Sequence, residues 1–188
     1  MNSRLKRSFL RSPLKTQVLY LDDGYVLKAD TLNVSEGGVL IENLPHVPDN
    51  PDVDLLISIP IYPEFSKLDT KQMMAIDPGH FDQHVLRMEG KIVRSFEGNS
   101  DVDKVFISHI GCAFVNPKPV LILSIQNYVM LFARNVKHLL GCFESSKNKD
   151  DEVEAIKNMA FCMGYDREQE YNQLRQKVLH DYQSLESL

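Results

Sequence analysis

Hydrophobic residues in the first half of the chain fall into short strand-like runs, and in the second half they recur at helical spacing. Thr16–Leu21 and Tyr25–Leu32 are rich in β-branched and aromatic residues and flank Asp22-Asp23-Gly24, a turn sequence, so they predict a hairpin. Gly38–Glu42 is apolar at Val39, Leu40 and Ile41, and Val53–Ile59 has the continuous apolar character of a strand buried on both faces or set in a barrel wall. Leu86–Ser95 and Lys104–Val115 complete a set of six strands. No helical period intervenes before Pro117, so the set predicts an antiparallel barrel and disfavours parallel-sheet nucleotide folds.

Ile61–Val85, between the fourth and fifth strands, is longer than most loops inside compact domains and predicts an ordered insertion. Pro119 suits the first turn of a helix whose apolar positions Ile122, Ile125, Val129, Phe132, Val136 and Leu139 recur at helical spacing, and this helix is expected to pack on the barrel. Ser145–Asp150 reads as a polar linker. Asp151 with Glu154 forms a capping-box pattern, Gly164 suits a helix C-terminus, and Asp166 with Gln169 opens a last helix. That helix gathers Tyr171, Leu174, Val178, Tyr182 and Leu185 on one face, which packs on the domain or, less commonly, receives a partner helix or a second copy. The expectation is a mainly β chain: a basic arm over 1–15, a six-stranded antiparallel β-barrel with its packed helix over 16–144, and a helical extension over 145–188.

Charge adds a local feature. Of 21 basic residues, Arg4, Lys6, Arg7, Arg11 and Lys15 fall in the arm without an acid, leaving 16 basic against 26 acidic residues in the body. A basic arm on an acidic body argues against a broad nucleic-acid surface and suits capture of a small anion beside the arm's root. Cys112, Cys142 and Cys162 are odd in number and widely spaced, which supports neither a disulfide framework nor a zinc knuckle and predicts reduced thiols in a cytoplasmic protein. The longest apolar stretch, Val120 to Phe143, is broken by Gln126, Asn127, Arg134, Asn135 and Lys137, so no membrane span is expected. Nucleophile-elbow and phosphate-loop motifs are absent, as is a clustered acid pair with a partner base, and the expectation is a protein that is not an enzyme. The one metal-like spacing, His80 to His84 with Asp77 and Asp82 nearby, lacks a clear third ligand and reads as an exposed loop; neither a metal nor a cofactor is expected.

Two short motifs then stand in order. Arg7-Ser-Phe-Leu-Arg11 is an RxxxR pair, and Asn33-Val-Ser35-Glu-Gly-Gly38 is a (D/N)xSxxG element one hairpin later. With Gly90-Lys-Ile-Val-Arg94 before a late strand and Gly111-Cys-Ala-Phe114 in the last one, they make residues 4–140 resemble the PilZ domain. The resemblance implies a bacterial receptor for cyclic dimeric GMP with Arg7, Arg11, Asn33, Ser35 and Gly38 at the ligand. The sequence departs from that pattern in the long insertion, in asparagine where aspartate is commoner at position 33, and in the helical tail.

These residue types suit the ligand. Its phosphodiesters carry fixed negative charge and its guanines present O6 and N7, and an arginine fork can bridge the one or engage the other bidentately. In extended geometry Arg7 and Arg11 lie on one side of the chain about 13 Å apart, a span comparable with the ligand. Asn33 and Ser35 alternate to one side of a strand while Val34 turns into the barrel. The Asn33 amide oxygen can accept from guanine N–H groups, the Ser35 hydroxyl can donate or accept, and Gly38 permits positive φ or a close backbone approach. The expected action is a clamp of arm and strand element that relays binding to a protein partner. The alternatives are a PilZ-fold adaptor that binds only protein, a nonspecific nucleic-acid or anionic-membrane binder using the arm, and a metal-dependent enzyme built on the insertion.

Overall fold

The computed structural model describes residues 9–96, 109–146 and 149–186. The strands among them are β1 (Ser12–Pro13), β2 (Gln17–Asp22), β3 (Tyr25–Ser35), β4 (Gly38–Glu42), β5 (Asp52–Pro60), β6 (Gln83–Phe96) and β7 (His109–Phe114). β2 to β7 form the closed, six-stranded antiparallel barrel that the sequence predicts, in the order β3-β2-β5-β6-β7-β4, and β3 pairs with β4 to shut the seam. The expected beginning of the last strand at Lys104 lies outside the described residues.

The predicted hairpin forms between β2 and β3. Asp23 at φ 47° and Gly24 at φ 78° both sit in the left-handed region, which makes a two-residue turn whose twist matches the flanking strands. Val18 and Tyr20 point into the core and Leu19 and Leu21 outward. The apolar run of β5 resolves into a barrel wall, with Val53, Leu55, Ile57 and Ile59 inside and Leu56 on the outer face.

β1 was not expected from the sequence. It lies in line with β2 along the same edge of β3, Ser12 opposite Val34 and Pro13 opposite Asn33. The break between the two strands is pinned by Leu14 N–H to the Leu32 carbonyl at 3.1 Å and Thr31 N–H to the Thr16 carbonyl at 2.8 Å. Leu14 itself is fully buried, so the arm's root is fastened by both backbone pairing and an apolar anchor.

The described residues divide into two compact units, one within Met1–Pro60 and Gln83–Val129, the other within Ile61–Asp82 and Met130–Leu188. The helices are α1 (Thr70–Ala75), α2 (Pro119–Ser145), α3 (Asp150–Cys162) and α4 (Tyr171–Glu186). α2 starts at the expected proline. Its first turns belong to the barrel unit, where Ile125, Tyr128 and Val129 are buried, and its later turns bury Phe132, Val136 and Leu139 in the second unit. Among the described residues no helix is long and apolar enough to cross a membrane.

The insertion is ordered, and two buried asparagines hold it. Irregular backbone taken out of water needs partners for its N–H and C=O groups. Asn135 Oδ1 accepts from Phe65 N–H at 3.1 Å and its Nδ2 donates to the Pro63 carbonyl at 2.9 Å. Asn158 Nδ2 donates to the carbonyls of Met73 at 2.7 Å and Ile76 at 3.0 Å. A capping box between Asp69 and Gln72 starts α1. Asn158→Ala strands two carbonyls at a site that is 4% exposed, and is expected to cost roughly 1–3 kcal/mol in urea unfolding. Wild-type stability in that variant would show that the insertion is held by other means.

The helical termini differ from the sequence reading in two places. α3 begins at Asp150 after Lys149, and no side chain caps it, so the Asp151–Glu154 box does not form; three acids in its first turn face the positive end of the helix dipole instead. α4 begins at Tyr171 and not at Asp166, whose carboxylate accepts from Glu168 N–H at 3.0 Å in a separate turn. Gly164, at φ 88°, ends α3 as expected, with Gly164 N–H to the Phe161 carbonyl at 2.9 Å and Tyr165 N–H to the Ala160 carbonyl at 3.1 Å. On α4, Leu174, Val178 and Leu185 are buried within the second unit, and Tyr171 and Tyr182 are half-buried.

Candidate functional site

The outer face of the barrel carries a cleft of about 370 Å³, wholly in the first unit, that crosses β3, β4, β7 and β6. Register places its residues in two rows. Asn33 lies opposite Leu40, Leu40 opposite Gly111, and Gly111 opposite Arg94. Two pairs along, Ser35 lies opposite Gly38 and Gly38 opposite Ala113, while Lys91, on the far side of Ala113, does not line the cleft. Side chains alternate across a sheet, so these residues share the outer face while Val34, Val39, Ile110 and Cys112 fill the core behind them. The middle of the rows carries Leu40 and the small residues Gly38, Gly111 and Ala113, which makes a shallow, apolar-floored trough between two polar banks.

Arg11 precedes β1 by one residue and, by the register Ser12–Val34, comes level with Ser35. The cleft thus brings together Arg11, Asn33, Ser35 and Gly38, four of the five residues named from the sequence; Arg7 lies outside the described residues. Val34 turns into the core as expected and is fully buried. The Ser35 hydroxyl donates to the Gly38 carbonyl at 3.3 Å, so at rest it closes its own hairpin. Gly38 serves a close approach and has no positive φ: a Cβ there would stand 2.1 Å from the Cys112 carbonyl oxygen.

Electrostatics suit an anion. Arg11 and Arg94 contribute two guanidinium groups, and no acidic side chain lines the cleft among the described residues. Burial pushes the Cys112 thiol up to about 12, so it stays neutral at physiological pH and adds no negative charge beneath the floor. A larger depression of about 570 Å³ elsewhere on the barrel is lined by Asp22, Asp23, Asp52, Asp54 and Glu89, and its charge repels a phosphodiester. His80 pairs with Asp77 at 3.1 Å in its own short turn, and among the described residues no group of three metal-binding side chains is gathered.

Both cleft elements are tied to one turn of α2. Gln126 Nε2 donates to Glu36 Oε2, in the β3–β4 turn, at 2.9 Å, and the Tyr128 hydroxyl donates to the Pro13 carbonyl, at the arm's root, at 2.7 Å.

Among the lining residues that were not assigned a site role from the sequence, three side chains stand at the rim. Phe9 lies over Gly37, whose absent Cβ would meet its ring at 2.9 Å, and Arg94 lies over Gly111 in the same manner, its Cγ 2.9 Å from the Cβ position. Val93 stands beside Arg94 at the cleft margin. The sequence signal for Phe9 and Arg94 was a pair of distant glycines, Gly37 in the β3–β4 turn and Gly111 in β7, legible only once the strands are in register.

The family model described as PilZ domain matches residues 5–131. No curated protein matches the chain. Among solved structures, the inhibitor of motility MotI/DgrA from Bacillus subtilis is similar at 12% identity and a TM-score of 0.45, over 66% of this chain and 49% of that one. The PilZ domain with c-di-GMP of YcgR from Escherichia coli is similar at 14% identity and a TM-score of 0.46, over 71% of this chain and 95% of that one. YcgR in complex with c-di-GMP from Escherichia coli is similar at 12% identity and a TM-score of 0.44, over 71% and 48%. The chain spans about half the length of MotI/DgrA. With the family model covering the arm's root, the whole barrel and the first turns of α2, the chain belongs to the PilZ domain family.

Proposed function

We propose that this chain is a receptor for cyclic dimeric GMP, which it clamps between the arm and the outer face of β3 and β4 before passing the change to a protein partner. The observation that carries this reading is the single cleft in which Arg11, Asn33, Ser35 and Gly38 converge with no acidic side chain among its described lining residues. Family membership supplies the ligand class, and the chemistry agrees with it. Arg11 offers a planar fork to a phosphodiester or to guanine O6 and N7, and Asn33 offers an amide oxygen to guanine N–H donors. Arg7, four residues back on the arm, is assigned the second fork. Binding is the whole activity in this reading, and catalysis is not part of it. The tie of both cleft elements to Gln126 and Tyr128 gives the bound state a route to α2.

Titration calorimetry of the full chain tests the proposal. Cyclic dimeric GMP is expected to give a saturable isotherm at about 0.15 M salt, where nonspecific phosphate attraction is largely screened, and neither cyclic dimeric AMP nor duplex DNA should compete. Absence of binding overturns the reading in favour of a protein-only adaptor. Equal competition by DNA overturns it in favour of a nonspecific anion binder.

A further inference from the structure

We infer that Arg94 is a specificity-determining residue of the cleft, reading the guanine at the end of the ligand that Asn33 and Ser35 do not reach. This rests on the receptor reading above and extends it to the opposite bank.

Asn33 and Arg94 end one cross-strand row, Asn33–Leu40–Gly111–Arg94. Three inter-strand spacings separate them, about 14 Å, which matches the reach of a molecule carrying a guanine at each end. Between them the floor offers Leu40 and the bare backbone of Gly111.

A local irregularity puts the arginine there. The register of β6 against β7 shifts between Ile92 and Arg94. Lys91 pairs with Ala113 and Ile92 with Cys112, so regular pairing would set Val93 opposite Gly111; the bulge inserts Val93 and moves Arg94 into that place. Gly111 then receives the arginine's stem. Its missing Cβ leaves room for Cγ at 2.9 Å and for Cδ and Nε at 3.4 Å, so the side chain lies across the strand and into the cleft lining. A bulge and a glycine on neighbouring strands, each needed for the other, aim one guanidinium at the cleft.

The chemistry selects guanine. An arginine fork donates two N–H groups, which fit O6 and N7 of guanine, whereas adenine turns an N6 donor toward it. Asn33 and Arg94 read different edges at different ends of the ligand, with the Arg11 and Arg7 forks engaged on the phosphodiesters, so each purine has its own reader.

The mixed cyclic dinucleotide with one guanine and one adenine, 3′,3′-cyclic GMP–AMP, separates the two readers. The full chain is expected to bind cyclic dimeric GMP about tenfold or more tighter than the mixed ligand. In Arg94→Ala and in Arg94→Lys that preference is expected to vanish, because a single remaining reader is satisfied by a single guanine. Gly111→Ala, which displaces the arginine, should erase the preference in the wild type and have no further effect on it in Arg94→Ala. Lys91→Ala, which removes a neighbouring charge from the same strand, should leave it intact. If Arg94→Ala weakens both ligands equally, or if Arg94→Lys keeps the preference, Arg94 supplies only charge and the inference is overturned. It is overturned too if Lys91→Ala acts as Arg94→Ala does. Failure of the wild-type chain to bind cyclic dimeric GMP at all is the distinct failure of the receptor reading.

Discussion

Arg11→Ala is expected to weaken cyclic dimeric GMP binding by about 10- to 150-fold, the equivalent of roughly 1.5–3 kcal/mol for one lost hydrogen bond to a charged group. The barrel should not notice. Arg11 is half-buried at the cleft, before the first paired residue of β1, and the anchors of the arm's root, Leu14 and the Ser12–Val34 pair, lie beyond it. Thermal stability is therefore expected within about 0.5 kcal/mol of wild type. Arg11→Lys keeps the charge and loses the planar fork, so it should recover little of the affinity. Asn33→Ala should in addition blunt the preference for guanine over adenine ligands, since its amide oxygen is the proposed acceptor for guanine N–H groups. Calorimetry on the four proteins decides the matter. If Arg11→Lys binds as wild type and cyclic dimeric AMP competes equally, the arm is a general anion-binding tail.

Gly38→Ala is expected to act on the fold. The new Cβ would fall 2.1 Å from the Cys112 carbonyl oxygen, 3.1 Å from its carbon and 3.2 Å from Ala113 Cα, all backbone atoms that cannot swing aside. β4 must part from β7, and those strands share five residue pairs from Gly38–Ala113 to Glu42–His109 in the barrel wall. Overpacking against backbone within a closed barrel should cost about 3 kcal/mol or more. Denaturant unfolding should then show a large stability loss before any ligand is added. Gly111→Ala provides the contrast, because its neighbours are the Cγ, Cδ and Nε of a flexible arginine, and it should stay within about 1 kcal/mol of wild type. Equal stability losses in the two variants would refute this separation of a fold-bearing glycine from a side-chain-clearing one.

Local features of the chain were legible without coordinates. Asp23-Gly24 specified its turn, the β2 to β5 strands declared themselves by composition, and Pro119 marked the first turn of α2. The polar bank of the cleft was legible as well, since Asn33 and Ser35 sit two apart on one strand and needed only alternation. What was hidden depends on long-range pairing. β1 spans two residues, too few to show any period. The partners of the insertion are Asn135 and Asn158, single polar residues in helices whose apolar stripes gave no hint of a backbone N–H waiting 70 positions away and a carbonyl waiting 85 away. Arg94 was hidden by one inserted residue, because strict alternation from Lys91 puts Val93, not Arg94, on the cleft face. The α4 start was misplaced for a different reason: Asp166 has the chemistry of a helix cap, but it spends its carboxylate on a free-standing turn.

The hydrogen bonds from Gln126 to Glu36 and from Tyr128 to Pro13 make the cleft and α2 parties to a thermodynamic exchange. Two walls of the cleft answer to one helical turn, so any displacement that strains those bonds in the empty state and relaxes them in the filled one is a coupling free energy. Coupling of that kind is reciprocal. Any protein that gripped α2 more tightly when the cleft was filled would have to tighten the cleft by the same factor, so under the receptor reading its concentration would set the dinucleotide level needed for a response.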